Sequence, residues 1–402
     1  MKPPHAPAPR RLAVVVSHPI QYYAPWFQWM RSEAGIELHV FYLWSAGATP
    51  THDPQFGRTL AWDVDLCCGY SHEFVPNTAR RAGTDHFLGL RNPELTTRLE
   101  AYAPSAVLLF GYAYDSHLRV IAWAGRRRVP LIFRGDSHLL GRENLAVWKR
   151  VLLGRLYRRF AAVLYAGLAN RAYFERLGVP AARLFFAPHS VDATHFNPDR
   201  PDVQAAAAAL RRELGLDAQT RVVLFAGKFV PAKQPLALLE AFLDLAPTQA
   251  VLVFAGDGEQ RAPLETRASE RGALGTSVRL LPFTNQAAMP ALHAIASVFV
   301  LPSRGSSETW GLAVNEAMHM GVPALVSDRV GCQQDLVTDG VTGWVFAADD
   351  PSGLRRSLER ALSAGEDARR DLRAAVLDRI RGYCFPQTTS GLLQACSTLP
   401  PS

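Results

Sequence analysis

Short runs of aliphatic and β-branched residues recur along the chain at intervals that leave room for a helix between them. In the first half they fall at 12–16, 37–43, 106–110, 131–133, 162–165 and 184–187. Runs so short and so continuously apolar read as parallel strands covered on both faces, and most are followed by a helix-length segment. The pattern restarts at 221–226, 250–255, 277–281, 298–301, 323–327 and 343–346. Strand and helix alternating on this scale predict an α/β protein of two Rossmann-like doubly wound domains, with ligands bound beyond the carboxyl ends of the strands. The Pro- and Asp-rich stretch Phe196-Asn197-Pro198-Asp199-Arg200-Pro201-Asp202 separates the halves. The expected organisation is therefore a tail over 1–10, a first domain over 11–198, a second over 199–383, and a C-terminal helix within 384–402 that packs back on the first domain. Two such domains face each other across a cleft, the expected place for an active site.

A length of 402 residues accommodates two domains, and 48% hydrophobic with 20% charged residues excludes disordered and coiled-coil classes. The net charge of +7 is uneven: residues 117–160 hold eleven Lys and Arg against Asp136 and Glu143, so this segment nets +9 and the rest −2. Concentration in one place argues against nucleic acid as a partner. Within it, residues 148–160 read as a basic amphipathic helix able to lie on an anionic membrane, although a solvated helix face has the same composition. Five cysteines without ligand-like spacing indicate neither a disulfide framework nor a zinc site, and buried thiols are expected. The Pro-rich start is followed by an apolar run at 12–16 too short for a signal-peptide core, and no apolar run reaches the roughly 20 residues a membrane span needs. A cytoplasmic protein is expected, with 117–160 as the candidate contact to the inner face of the cell membrane.

Chemistry concentrates between Pro302 and Ala317. Glu308 and Glu316 stand eight positions apart, with Thr309-Trp310-Gly311-Leu312 between them. A helix starting near Gly311 carries Glu316 in its second turn and leaves Glu308 in the loop before it. Free N–H groups at the helix start suit a diphosphate, and the flanking carboxylates suit hydroxyls. A nucleotide sugar has both parts. A capping loop with a charge near the helix start is the plainer reading.

This segment, with Gly321-Val322-Pro323 and Gly340-Val341-Thr342-Gly343 after it, resembles the E-x7-E signature of retaining GT-B glycosyltransferases of family 4, the glycosyl transferases group 1. Phe225-Ala226-Gly227-Lys228 with Lys233, Val253-Phe254-Ala255-Gly256-Asp257-Gly258, and Pro188-His189-Ser190-Val191-Asp192 resemble further family turns in the expected order. The likeness implies that Lys228 and Lys233 hold the donor diphosphate, with Lys228 where the family usually has Arg. It implies that Glu316 binds ribose and that Glu308, as a catalytic residue, meets the donor sugar or the developing charge near it, that the 309–312 segment (Thr309, Trp310, Gly311, Leu312) lines the donor, and that Phe283 lies at the base-binding edge. It also implies no cofactor and no metal, a UDP- or GDP-sugar as donor, and a glycan or lipid-linked acceptor. On the first domain, the loop after 131–133 places Asp136 or His138 at the family's cleft position, where a carboxylate or imidazole assists the incoming hydroxyl. The loop after the first strand offers His18 and Gln21 as acceptor-side contacts. The activity so implied is hexosyl transfer with retention, in surface polysaccharide or glycolipid synthesis. A non-hydrolysing nucleotide-sugar epimerase and a catalytically silent GT-B partner are the alternatives.

Overall fold

The computed structural model describes residues 11–53, 56–142, 145–305 and 308–400. The 1–10 tail, Glu143 of the basic segment and Ser306-Ser307 of the glutamate motif lie outside the described residues. Two parallel sheets organise the chain. The first has seven strands in the order β5-β2-β1-β6-β7-β8-β9, where β1 is Leu12–Val16, β2 Leu38–Tyr42, β5 Ser71–Phe74, β6 Ala106–Phe110, β7 Leu131–Arg134, β8 Ala162–Tyr165 and β9 Leu184–Phe186. β3 (Thr51–Asp53) and β4 (Arg58–Leu60) pair antiparallel as a separate hairpin between β2 and β5. The second sheet orders six strands as β12-β11-β10-β13-β14-β15, with β10 at Arg221–Ala226, β11 at Ala250–Ala255, β12 at Val278–Leu281, β13 at Val298–Leu301, β14 at Ala324–Ser327 and β15 at Gly343–Phe346.

The side-chain period of two explains why these strands are so uniformly apolar. In β1, Leu12, Val14 and Val16 enter one core while Ala13 and Val15 enter the core on the opposite face. β10 divides likewise, Val222 and Leu224 to one side, Val223 and Phe225 to the other. Strand β5 escapes the sequence pattern because it is an edge strand whose residues Ser71, His72, Glu73 and Phe74 are exposed or half-buried.

The helix Pro201–Glu213 opens the second domain and buries Val203 and Ala207 in its core. At the other end, the helix Phe385–Ser397 returns to the first domain, where Leu392, Leu393, Ala395 and Cys396 join the core under β1. The Trp26 indole N–H donates to Thr389 Oγ1 at 2.9 Å, and the Thr388 hydroxyl donates to the Pro188 carbonyl at 2.8 Å.

Two expectations need correction. The thiols are not uniformly buried: Cys332 and Cys396 are, Cys67 and Cys384 are half-buried, and Cys68 is exposed. The basic segment is not one surface either. Arg119 pairs with Asp115 at 2.6 Å, Arg127 pairs with Glu100 at 2.8 Å, and the buried Arg134 donates to the Ala187 carbonyl at 2.8 Å. Only the helix Val147–Tyr157 and the residues just after it keep the basic and apolar character together at the surface. Among the described residues no helix is long and apolar enough to cross a membrane.

Candidate active site

A cavity of about 320 Å³ opens where the carboxyl ends of the two sheets meet. Glu308, Thr309, Trp310, Gly311, Leu312, Glu316, Lys228, Lys233 and Phe283 line it from the second domain, and Gln21, Tyr22, Phe56, Trp62 and Asp136 from the first.

The second-domain wall begins with the turns after β10 and β11. Gly256 has φ +151°, and a Cβ there would lie 1.9 Å from the Gly227 carbonyl oxygen, so only glycine lets the two turns touch. The turn after β10 then presents Lys233, whose Nζ is 2.9 Å from Glu308 Oε2; the Ser303 hydroxyl donates to the same oxygen at 3.0 Å. Gly311 starts the helix Leu312–His319 at φ +97°, a left-handed conformation that glycine adopts without strain. The helix start, with its partial positive charge, lines the same cavity as the two lysines.

Glu316 lies one turn deeper and is almost fully buried. Its Oε1 accepts from the Tyr22 hydroxyl at 3.0 Å and its Oε2 lies 3.3 Å from His293 Nε2. Burial, reinforced by Glu316, raises the Tyr22 phenol well above its ordinary value, so it stays a donor. Tyr22 belongs to the first domain, so this hydrogen bond joins the two domains at the cavity wall.

Asp136 follows β7 and meets the second domain through the Thr309 hydroxyl, which donates to its Oδ2 at 2.8 Å; His189 Nε2 lies 3.4 Å from the same oxygen. Burial alone would push this carboxyl up, but His189 and Thr309 outweigh it and hold Asp136 at about 2. Asp136 is therefore ionised at neutral pH and accepts hydrogen bonds. His138 does not share its position. The Leu140 N–H donates to His138 Nδ1 at 3.0 Å, which leaves Nε2–H to donate to the Glu308 carbonyl at 3.1 Å. Both ring nitrogens are occupied, burial lowers the imidazole pKa, and the ring stands behind Glu308 rather than in the cavity. Of the two residues left open by the sequence, Asp136 lines the cavity, and His138 donates to the backbone of Glu308.

His18 is likewise off the wall. It lies 3.0 Å from the Ser17 hydroxyl through Nδ1 and edge-on to Trp44, and burial lowers it to about 4. Gln21 from the same loop lines the cavity. Sequence reasoning passed over Tyr22, Phe56, Trp62, His189 and His293. The first stands beside Gln21 and the fourth within the Pro188–Asp192 turn; neither Phe56 nor Trp62 carries a local signal, since both reach the site only through the hairpin's placement. Among the described residues no group of three or more His, Cys, Asp or Glu is placed to hold a metal ion.

Residues 207–376 match the family model described as Glycosyl transferases group 1. The D-inositol 3-phosphate glycosyltransferase of Frankia alni is 31% identical over 229 residues, 52% of this chain and 55% of that protein. A GDP-mannose-dependent alpha-(1-6)-phosphatidylinositol monomannoside mannosyltransferase of Mycolicibacterium smegmatis is 32% identical over 245 residues, 58% of this chain and 61% of that protein. The chain thus spans little more than half the length of these curated relatives. Among solved structures, HepE of Anabaena in complex with UDP and glucose superposes with a TM-score of 0.72 at 17% identity, covering 97% of this chain and 100% of that one. The two facing parallel sheets are those of the GT-B fold.

Proposed function

We propose that this chain, whose residues 207–376 belong to the glycosyl transferases group 1 family, transfers a hexosyl group from a nucleoside diphosphate sugar to an acceptor hydroxyl with retention of anomeric configuration. One observation carries the reading. A single cavity joins two lysines and a helix N-terminus, which suit a diphosphate, to the carboxylates Glu308, Glu316 and Asp136, which suit sugar hydroxyls. The two cations neutralise the departing diphosphate, which is electrostatic stabilisation of the leaving group by preplaced charge. No divalent ion is required in this scheme. Lys233 is oriented for it by its ion pair with Glu308, and the Glu308 backbone is held by His138. The bond from the anomeric carbon to the phosphate oxygen breaks, the acceptor oxygen bonds the same face, and its proton passes to the leaving phosphate. Asp136, ionised and facing the cavity, orients the hydroxyl that it accepts from.

The acceptor is a glycan or lipid-linked sugar of surface polysaccharide or glycolipid synthesis, made at the cytoplasmic face of the membrane. The exposed side of the helix Val147–Tyr157 supports this. Val147, Trp148, Val151 and Leu152 are exposed there, and Lys149, Arg150, Arg155, Arg158 and Arg159 surround them without an acidic partner among the described residues. Arg150, Arg158 and Arg176 line a hollow of about 280 Å³ beside this patch. Apolar side chains ringed by cations fit an anionic bilayer, where each basic residue near the surface contributes about 1 kcal/mol.

A thermal-shift panel of nucleotide sugars tests the donor. The true donor at about 100 times its Kd raises stability by about 2.7 kcal/mol, and the others do not. Proton NMR of the product formed from that donor then reads the anomeric configuration; an inverted product removes retention.

A further inference from the structure

The hairpin β3–β4 and the residues just after it belong to the first domain, against whose core Trp62 packs, yet they also reach the second domain. The Asn285 side-chain amide donates to the Ala61 carbonyl at 2.7 Å, and the Ala287 backbone N–H donates to the Asp63 carboxylate at 3.2 Å. Arg58 lies 4.0 Å from Asp257 and its guanidinium stands 5.6 Å from the Phe283 ring centre. These contacts carry two aromatic rings across the gap. Phe56 meets Phe283 edge to face at 5.1 Å, Trp62 meets it at 6.3 Å, and Lys228 Nζ stands 4.9 Å from the Phe56 ring centre. All three rings line the cavity, and Phe56 does so beside Lys228.

We propose that this arm, the described residues 51–53 and 56–63 with Phe56 and Trp62 as its working side chains, completes the nucleobase end of the donor site. The inference rests on the nucleotide-sugar reading above and adds to it that the first domain also grips the donor. The chemistry follows from the rings: a planar base presents a π-face, and aromatic side chains hold it by offset or edge-to-face contact. Phe56 and Trp62 each already make such a contact with Phe283, so an entering base exchanges ring–ring for ring–base contact. A group without a base gains nothing from them. An arm that were only a strap between domains would need its backbone and Asp63 contacts and not two cavity-facing rings. Because the rings come from both domains, donor affinity depends on the domains being together.

The test compares a ligand with a base against one without. Phe56→Ala, Trp62→Ala and the conservative Trp62→Phe are prepared alongside the wild type and checked for an unchanged melting temperature. Dissociation constants for UDP and GDP are measured, together with the inhibition constant of inorganic pyrophosphate against turnover. The expected result is that each alanine variant weakens the preferred nucleoside diphosphate by about tenfold or more and leaves pyrophosphate within about twofold, while Trp62→Phe restores most of the loss. Nucleotide affinities equal to wild type in both alanine variants would overturn the arm's role while leaving the donor reading intact. Equal weakening of nucleotide and pyrophosphate would reduce the arm to a strap. A wild-type protein that binds neither UDP nor GDP would overturn the donor reading itself.

Discussion

The polar part of the wall that the second domain contributes to the cavity comes mainly from two glycine turns and the segment 308–316, with Phe283 and its neighbours at one edge, whereas the first domain's wall is gathered from residues 21–22, 56, 62 and 136, scattered over more than a hundred positions. The first kind of wall meets a diphosphate, a group with one shape and one charge. Backbone N–H groups, a helix start and two lysines serve it, and their spacing is fixed locally. The second kind meets whatever hydroxyl and base the particular enzyme uses. Its members need only converge in space, and tertiary structure brings them together. The same division separates two aspartates that join the domains. Asp136 is held low, at about 2, by His189 and Thr309. Asp335, which accepts the Leu168 N–H at 3.0 Å, is pushed up by burial to about 6.

The sharpest break between the walls is expected from Lys233→Ala and Glu308→Gln. Each should lower turnover by about a thousandfold and abolish the donor-induced rise in melting temperature, because each removes a group that meets the diphosphate sugar. Near-normal rates in either would erase the distinction. Asp136→Asn is the counterpart on the other wall. Turnover should fall by about a hundredfold while the donor-induced thermal shift is retained, and the factor should stay constant from pH 5 to pH 9 because the carboxylate is ionised throughout. A donor shift lost along with turnover would place Asp136 on the donor side.

Asp335 offers a third contrast. Its folded pKa is above the ordinary value, so its ionisation opposes folding: the cost is absent below about pH 4 and complete above about pH 6. Asp335→Asn keeps an acceptor for Leu168 and removes the charge. Urea unfolding should show the variant more stable at pH 7, with the gain smaller by about 1 kcal/mol at pH 5. The comparison must be made between variant and wild type at each pH. His18, His117 and His319, lowered by burial to about 4, 3 and 4, cost both proteins stability as the pH falls through 6.5 toward those values. A gain that does not change with pH would assign it to packing. The smallest effect is expected far from both walls. Trp148→Ala should weaken sedimentation with phosphatidylglycerol vesicles about threefold and leave turnover of a soluble acceptor unchanged. Binding that ignores both the substitution and salt would leave this helix a solvated surface.

The contrast also explains what the sequence could disclose. The central strands were legible because both faces of each are buried, and the 308–316 segment was legible because its carboxylates, glycine and helix start are neighbours in the chain. β5 was not, since an edge strand keeps polar residues. Phe56 and Trp62 are ordinary aromatic residues until a hairpin lays them across Phe283. Spacing alone could not show that Asp136 lines the cavity while the Glu308 carbonyl and the Leu140 N–H occupy both imidazole nitrogens of His138. His18 was a plausible polar residue after β1, but it is Gln21 and Tyr22, further along the loop, that reach the cavity.

The return of the helix Phe385–Ser397 to the first domain bears on the order in which the protein is made. Its Leu392, Leu393 and Ala395 fill part of the core beneath β1, so the interior of the first domain is completed only by residues that follow the second domain in the chain. The second domain, contained within one uninterrupted stretch, has all its strands beforehand. A first domain that ordinarily folds before the one following it here cannot fill its core until the second domain's strands have been made.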